Sequence, residues 1–267
     1  MVIYMRYGLI GEKLGHSYSK IIHEKLADYT YDLIPLSREE FIPFMTKKEF
    51  TAINVTIPYK QEVIPYLDEL HPLALEIGAV NTIVNKEGHY IGYNTDFYGF
   101  KYMLEHNNID VAGKKCLILG AGGTSHTVLA VLKSLGASKI YVVSRRIPDN
   151  DRNTCSVATI SYETCYKDHL DAAIIVNTTP LGMYPNVDTS PLELTGFTKC
   201  EAVVDAIFNP LKTKLALQAE ELGIKAVTGL EMLVAQAKQA IEYFLDKNLE
   251  DKCINEVYAY LIEIISK

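Results

Sequence analysis

No run of about 18 apolar residues occurs anywhere in the chain, which removes a transmembrane helix from consideration. There is no cationic excess either: 26 Lys and Arg stand against 33 Asp and Glu, a formal net charge of -7. Nucleic acid wants a basic face and is not expected as a ligand. Small acidic substrates stay open, because a few local cations or dipoles can hold them. Cysteine is sparse: Cys116, Cys155, Cys165, Cys200 and Cys253 are odd in number, widely spaced and without any C-x-x-C. Neither a disulfide framework nor a metal site is indicated, and reduced thiols in a cytoplasmic protein are expected. The opening MVIYMRYGLIG lacks the basic stretch and apolar segment of a signal peptide. No internal repeat or low-complexity tract is found.

What is present is an ordinary globular composition, 48% hydrophobic and 22% charged over 267 residues, enough for one large domain or two modest ones. Tyr4–Ile10, Tyr31–Leu36 and Ala52–Ile57 are rich in β-branched and aromatic residues and predict strands. Ser19–Ala27 and Arg38–Met45 carry helical spacing between them, a βαβα series that predicts a mostly parallel sheet. Ala79–Val84 and Tyr90–Tyr93, with Asn85-Lys86-Glu87-Gly88 between, predict a hairpin at one side of that sheet. A helix is expected from Asp96 to His106 with Thr95 as its cap.

Further on, Cys116–Leu119 is an apolar run followed directly by Gly120-Ala121-Gly122-Gly123-Thr124-Ser125 and a helical pattern. Strand, glycine-rich turn and helix in this order are where a dinucleotide fingerprint sits: glycines allow a tight turn and close approach of backbone N–H groups to a pyrophosphate. The helix N-terminus adds partial positive charge for the anion. Ser125, small but not glycine, takes the third fingerprint position. The next strand, Lys139–Ser144, ends in Ser144-Arg145-Arg146, whereas an NAD site usually places Asp or Glu about 20 residues on. A guanidinium suits a 2′-phosphate, so NADP is favoured; a solvated surface pair is the alternative reading. Ala173–Asn177 and Ala202–Asp205 predict two more strands. Leu230, Leu233, Val234, Ala237, Ile241 and Phe244, then Ile254, Val257, Tyr258, Leu261, Ile262 and Ile265, trace two amphipathic helices.

Four segments remain, each where a strand meets a loop or helix: Gly11–Ser19, Asn54–Lys60, Gly78–Thr82 and Gly92–Asp96. Ligands of open α/β sheets collect at strand carboxyl ends. Singly, each has another reading. Ser17 and Ser19 could be helix caps, Lys60 a solvated cation, Asp96 a first-turn acid, Asn54 and Asn81 turn residues.

Together, the serine pair in H-S-x-S, the block Asn54-Val55-Thr56-Ile57-Pro58-Tyr59-Lys60, Gly78-Ala79-Val80-Asn81-Thr82 and Asn94-Thr95-Asp96 resemble the shikimate dehydrogenase family in order and spacing. Gly120–Gly123, Asn177-Thr178-Thr179-Pro180-Leu181-Gly182-Met183 and Gly229–Ala237 extend the resemblance over essentially the whole chain. It implies an α/β protein of two domains: a substrate-binding domain over residues 1–100 and a Rossmann-type NADP domain over 101–229. Helices over 230–267 would return to the first. The implied reaction is the reversible, NADP-linked reduction of 3-dehydroshikimate to shikimate, in chorismate and aromatic amino acid biosynthesis, by a monomer or homodimer.

Residue by residue, the resemblance implies Lys60 and Asp96 as the catalytic pair and Ser17 and Ser19 on the substrate carboxylate. Thr56 and Asn81 would hold ring hydroxyls or the carboxylate, and Gln236, from the C-terminal helix, a ring hydroxyl. Gly120, Ala121, Gly122, Gly123, Thr124 and Ser125 would cradle the pyrophosphate, with Ser144 and Arg145 at the adenosine phosphate and Thr178, Met183 and Gly229 beside the nicotinamide. Which of Lys60 and Asp96 transfers the proton stays open. Four positions depart from the family: Lys20 replaces a proline, Phe97 a glycine, Phe208 a frequent tyrosine, and Ser144-Arg145-Arg146 stands where Asn-Arg-Thr is usual. An NAD-using quinate/shikimate dehydrogenase, or a non-catalytic nucleotide sensor, are the competing expectations.

Overall fold

Strand β1 (Tyr7–Gly11) is buried at every position, flanked by a strand on each side in one sheet. The computed structural model describes residues 6–15, 17–147 and 156–266. Two units divide the chain, residues 1–99 with 234–267 and residues 100–233.

In the first unit, β1 is followed by α1 (Ser19–Leu26), β2 (Tyr31–Pro35), α2 (Arg38–Lys47) and β3 (Ala52–Val55). Then come β4 (Glu69–Leu70), α3 (Pro72–Ile77), β5 (Thr82–Lys86), β6 (His89–Tyr93) and the first five residues of α4 (Thr95–His106). The strand order is β2-β1-β3-β5-β6-β4. β1 pairs in parallel with β2 and β3, as the βαβα pattern requires, while β5 runs antiparallel to both β3 and β6. The hairpin of β5 and β6 therefore joins the sheet through β3. Beyond it lies β4, two residues long and too short to leave a periodic trace in the sequence. This register has a consequence for chemistry: the ends of β1, β3 and β6 and the start of β5 share one edge of the sheet.

The second unit holds β7 (Lys115–Leu119), α5 (Gly123–Ser134), β8 (Lys139–Val143), β9 (Val157–Ile160), α6 (Tyr162–Asp168), β10 (Ile174–Asn177), β11 (Ala202–Asp205), α7 (Lys214–Glu221) and β12 (Lys225–Thr228). Its six strands are all parallel, in the order β9-β8-β7-β10-β11-β12. Strand order reverses between β7 and β10, the switch point of a doubly wound sheet, where ligands bind. β7, β10 and β11 are buried almost throughout and read as continuous apolar runs, as strands covered on both faces do. β9 and β12 lie at the sheet's two edges, mostly half-buried, and lack such runs.

The last residues of the second unit begin α8 (Leu230–Leu245), and α9 (Lys252–Ile265) follows. Ala240 and Phe244 of α8 pack with Tyr7, Leu9, Tyr31 and Tyr93 of the first unit's sheet. α9 lies against α1, with Lys25 Nζ 4.1 Å from the centre of the Tyr260 ring. Cys116, Cys165, Cys200 and Cys253 are free thiols. Tyr4, His16, Pro148, Asp149, Asp151 and Cys155 lie outside the described residues. No helix among the described residues is long and apolar enough to cross a membrane, and no cluster of His, Cys, Asp and Glu there could hold a metal.

Candidate functional site

Lys60 and Asp96 meet at the shared sheet edge of the first unit. Lys60 follows β3 beside Tyr59, a fully buried ring stacked on Phe41 whose hydroxyl donates to Leu36 O at 2.7 Å. Its own carbonyl accepts the Val80 N–H at 2.8 Å, which ties this turn to the segment carrying Asn81. Asp96 enters from the first turn of α4. Lys60 Nζ lies 2.6 Å from Asp96 Oδ2, with the two side chains 20% and 13% exposed. The pair is thus largely shielded, and its charges act more strongly than in bulk water.

The expectation that Thr95 caps α4 is corrected. Asn94 Oδ1 accepts the Phe97 N–H at 3.2 Å and does the capping, and Thr95 is the first helical residue. Fully buried, Thr95 spends its hydroxyl on Asn81 and Gln236, at 3.0 Å from Asn81 Nδ2 and 3.3 Å from Gln236 Oε1. Two candidate substrate residues 155 positions apart in sequence therefore converge on one threonine.

Ser17 Oγ accepts the Ser19 N–H at 3.3 Å, so Ser17 braces the start of α1. Ser19 is buried. Thr56 sits just past β3, held by its N–H to Ile10 O at 2.9 Å. Its Cγ2 lies so close to Gly11 that a Cβ there would come within 2.5 Å, which accounts for the glycine.

In the second unit, a cleft of about 860 Å³ opens at the switch point. Gly120, Ala121, Gly122, Ser144, Arg145 and Thr178 line it, as do Tyr162, Thr179, Pro180 and Leu181. Gly120 has φ +100°, and a Cβ on it would come 2.9 Å from Thr179 Cγ2, so only glycine fits. α5 starts with Gly122 as N-cap and no side-chain cap, leaving its first backbone donors for an anion. Thr178 Oγ1 donates to Leu119 O at 2.7 Å, fixing the loop against β7. Arg145 and Arg146 are exposed and form no ion pair among the described residues, and no carboxylate there stands at the end of β8.

Several candidates lie away from that cleft's lining. Ser125 is buried and donates its hydroxyl to Gly122 O at 2.6 Å, which makes it a brace for the turn. Gly123, Thr124, Met183 and Gly229 do not line the cleft. A Cβ at Gly229 would meet Ala206 O at 2.2 Å, so close packing alone demands the glycine. Tyr162 was invisible as a site residue in the sequence: it starts α6 behind an edge strand without a motif, and its ring packs on the unit's core. Burial raises its phenol pKa, and the Arg145 charge opposes that shift. Of the family departures, Lys20 pairs with Glu24 at 2.5 Å and donates to Tyr31 O at 2.8 Å. Phe97 and Phe208 are half-buried.

A family profile, the shikimate dehydrogenase substrate binding domain, matches residues 9–83. The shikimate dehydrogenase (NADP(+)) of Clostridium beijerinckii is 37% identical over 263 residues, covering 95% of this chain and 96% of that protein. Among solved structures, the chorismate mutase/shikimate 5-dehydrogenase fusion protein of Clostridium acetobutylicum matches with a TM-score of 0.91 at 38% identity, over 98% of this chain and 99% of that one. Shikimate 5-dehydrogenase from Thermus thermophilus, solved with NADP(H) and shikimate, gives 0.83 at 27% identity, over 96% and 99%.

Proposed function

The chain belongs to the shikimate dehydrogenase family, and from that premise we propose that it interconverts 3-dehydroshikimate and shikimate with NADP, on the route to chorismate and the aromatic amino acids. Reducing a ketone adds a hydride to carbon and a proton to oxygen. NADPH, when bound, supplies the hydride. The Lys60 ammonium gives the proton and stabilises the negative charge growing on oxygen. Asp96 holds that ammonium in place and accepts from the substrate hydroxyl. The observation that carries this reading is the 2.6 Å contact of Lys60 with Asp96, made by two largely shielded side chains at a sheet edge.

Ser17 and Ser19 take the substrate carboxylate, and Thr56, Asn81 and Gln236 the ring oxygens. Residues 1–100 with 230–267 thereby form the substrate domain, and 101–229 the cofactor domain. NADP suits the second unit's cleft: the glycine cradle at Gly120 admits a pyrophosphate, and Ser144 and Arg145 meet the 2′-phosphate. Free thiols at Cys116, Cys165, Cys200 and Cys253 suit a reducing cytoplasm.

The test is a rate assay on the purified protein, with shikimate or quinate as substrate and NADP or NAD as acceptor. Formation of NADPH with shikimate is expected. Turnover of quinate with NAD at equal efficiency would move the protein to the quinate/shikimate branch. Tight nucleotide binding without turnover of either acid would make it a sensor.

A further inference from the structure

Tyr31, the first residue of β2, is fully buried and held on four sides. Its N–H donates to Glu24 Oε1 at 3.0 Å, and its carbonyl accepts from Lys20 Nζ at 2.8 Å. Its ring stacks on the buried His23 imidazole with centroids 3.9 Å apart. Its hydroxyl donates to Asn54 Oδ1 at 2.7 Å. Burial pushes the phenol pKa well up, so the hydroxyl keeps its proton and acts as a donor.

A carboxamide can be placed either way round, and groups that only donate or only accept decide which. The Asn81 carbonyl only accepts, so the Asn54 atom 3.2 Å from it is Nδ2, and Asn54 Oδ1 faces Tyr31. Asn54 Nδ2 also donates to Thr82 Oγ1 at 3.0 Å. That hydroxyl is left to donate, with Asn81 Oδ1 at 3.1 Å and Thr95 Oγ1, itself bonded to the Asn81 carboxamide, at 3.2 Å. Thr95 N–H, which only donates, reaches the same Oδ1 at 2.7 Å. Both anchors turn Asn81 the same way. Its Nδ2 gives one hydrogen to Thr95 Oγ1 at 3.0 Å, and the second has no partner among the described residues.

We propose that Tyr31 is a positioning residue: acting through Asn54 and Thr82, its hydroxyl holds the Asn81 carboxamide so that an N–H donor faces a substrate oxygen. This rests on the reading of Asn81 as a substrate contact. Without the phenol, Asn54 Oδ1 becomes a buried acceptor with no donor directly behind Asn81. Asn54 cannot simply turn over to recover, because its oxygen would then face the Asn81 carbonyl.

The test compares Tyr31→Phe, Asn81→Ala and the double variant in steady-state kinetics, with NADP affinity measured by calorimetry and Tm by thermal unfolding. Tyr31→Phe is expected to raise the KM for shikimate about tenfold, lower kcat less and leave NADP affinity unchanged. The double variant is expected to be no worse than Asn81→Ala alone, since both cut one chain of bonds. Should Tyr31→Phe not fold, Thr82→Val cuts the same chain at an isosteric, β-branched strand position and is expected to behave alike. A lowered Tm with wild-type KM, or fully additive effects with Asn81→Ala, overturns the proposal. If Asn81→Ala itself leaves KM unchanged, the substrate role of Asn81 fails first, and that outcome is separate from a failure of Tyr31.

Discussion

Lys60 Nζ and Asp96 Oδ2 lie 2.6 Å apart although they stand 36 positions apart in sequence. One side chain leaves a turn after β3 and the other the first turn of α4, and the antiparallel hairpin between them brings both to one edge. Lys60→Ala should lower kcat by roughly 10²–10⁴-fold, the range for losing a positioned proton donor, with a smaller change in KM. Asp96→Asn keeps the shape and removes the charge, and should also lose most activity. Near-wild-type turnover in Lys60→Ala would remove that residue from the chemistry.

Carboxylate recognition is tested at α1. Replacing both Ser17 and Ser19 with alanine should raise the KM for shikimate by roughly 1–3 kcal/mol per lost bond to a charged group. NADP affinity, measured separately, should stay. A variant that melts earlier but keeps its KM would leave both serines as braces of the helix start, the role Ser17 already has toward the Ser19 N–H.

Cofactor choice turns on the end of β8. NADP should be preferred over NAD by at least about tenfold in kcat/KM, a difference of only about 1.4 kcal/mol. Arg145→Ala should weaken NADP by a similar factor and spare NAD, and Arg146→Ala should do less. Equal use of the two nucleotides by the unaltered protein would refute the 2′-phosphate assignment.

Gly229 separates packing from binding. A Cβ there would meet Ala206 O at 2.2 Å, and a backbone carbonyl cannot move aside cheaply. Gly229→Ala should therefore reduce stability by about 1–3 kcal/mol or more, read by denaturant unfolding. Unchanged stability with weakened NADP binding would instead make it a cofactor contact.

His23 makes stability depend on pH. Burial lowers its pKa to about 3, whereas an unfolded histidine titrates near about 6.5. Between these values the unfolded chain binds the extra proton. The contribution of this group is thus complete above about pH 6.5 and is lost as pH falls toward about 3. At pH 5 about 2 kcal/mol should be gone relative to pH 7.5. His23→Phe should show a correspondingly shallower fall in unfolding free energy over that interval; an identical fall in both proteins would rule His23 out as its source.

How much of this was legible in the residues follows from the range of each signal. The apolar runs at Cys116–Leu119, Ala173–Asn177 and Ala202–Asp205 are local, and they lie in the buried centre of the second sheet, so their strands could be read directly. The glycine motif at Gly120 was equally plain, because it is encoded within a few positions, whereas Lys60 and Asp96 taken singly fitted a solvated cation and a first-turn acid, and only the family resemblance set them together. The edge strands β4, β9 and β12 left little trace, since a strand covered on fewer sides needs no continuous apolar run. Which residue caps α4, where the Ser125 hydroxyl points and why Gly229 is glycine depended on neighbours far away in the chain. Tyr31 is the clearest case. In sequence it is one more aromatic strand residue; only the pairing of β1 with both β2 and β3 sets its hydroxyl against Asn54. Propensity and periodicity act over a few residues and determine the elements. Hydrogen-bond partners across a sheet are chosen by register, which exists only once the strands have paired.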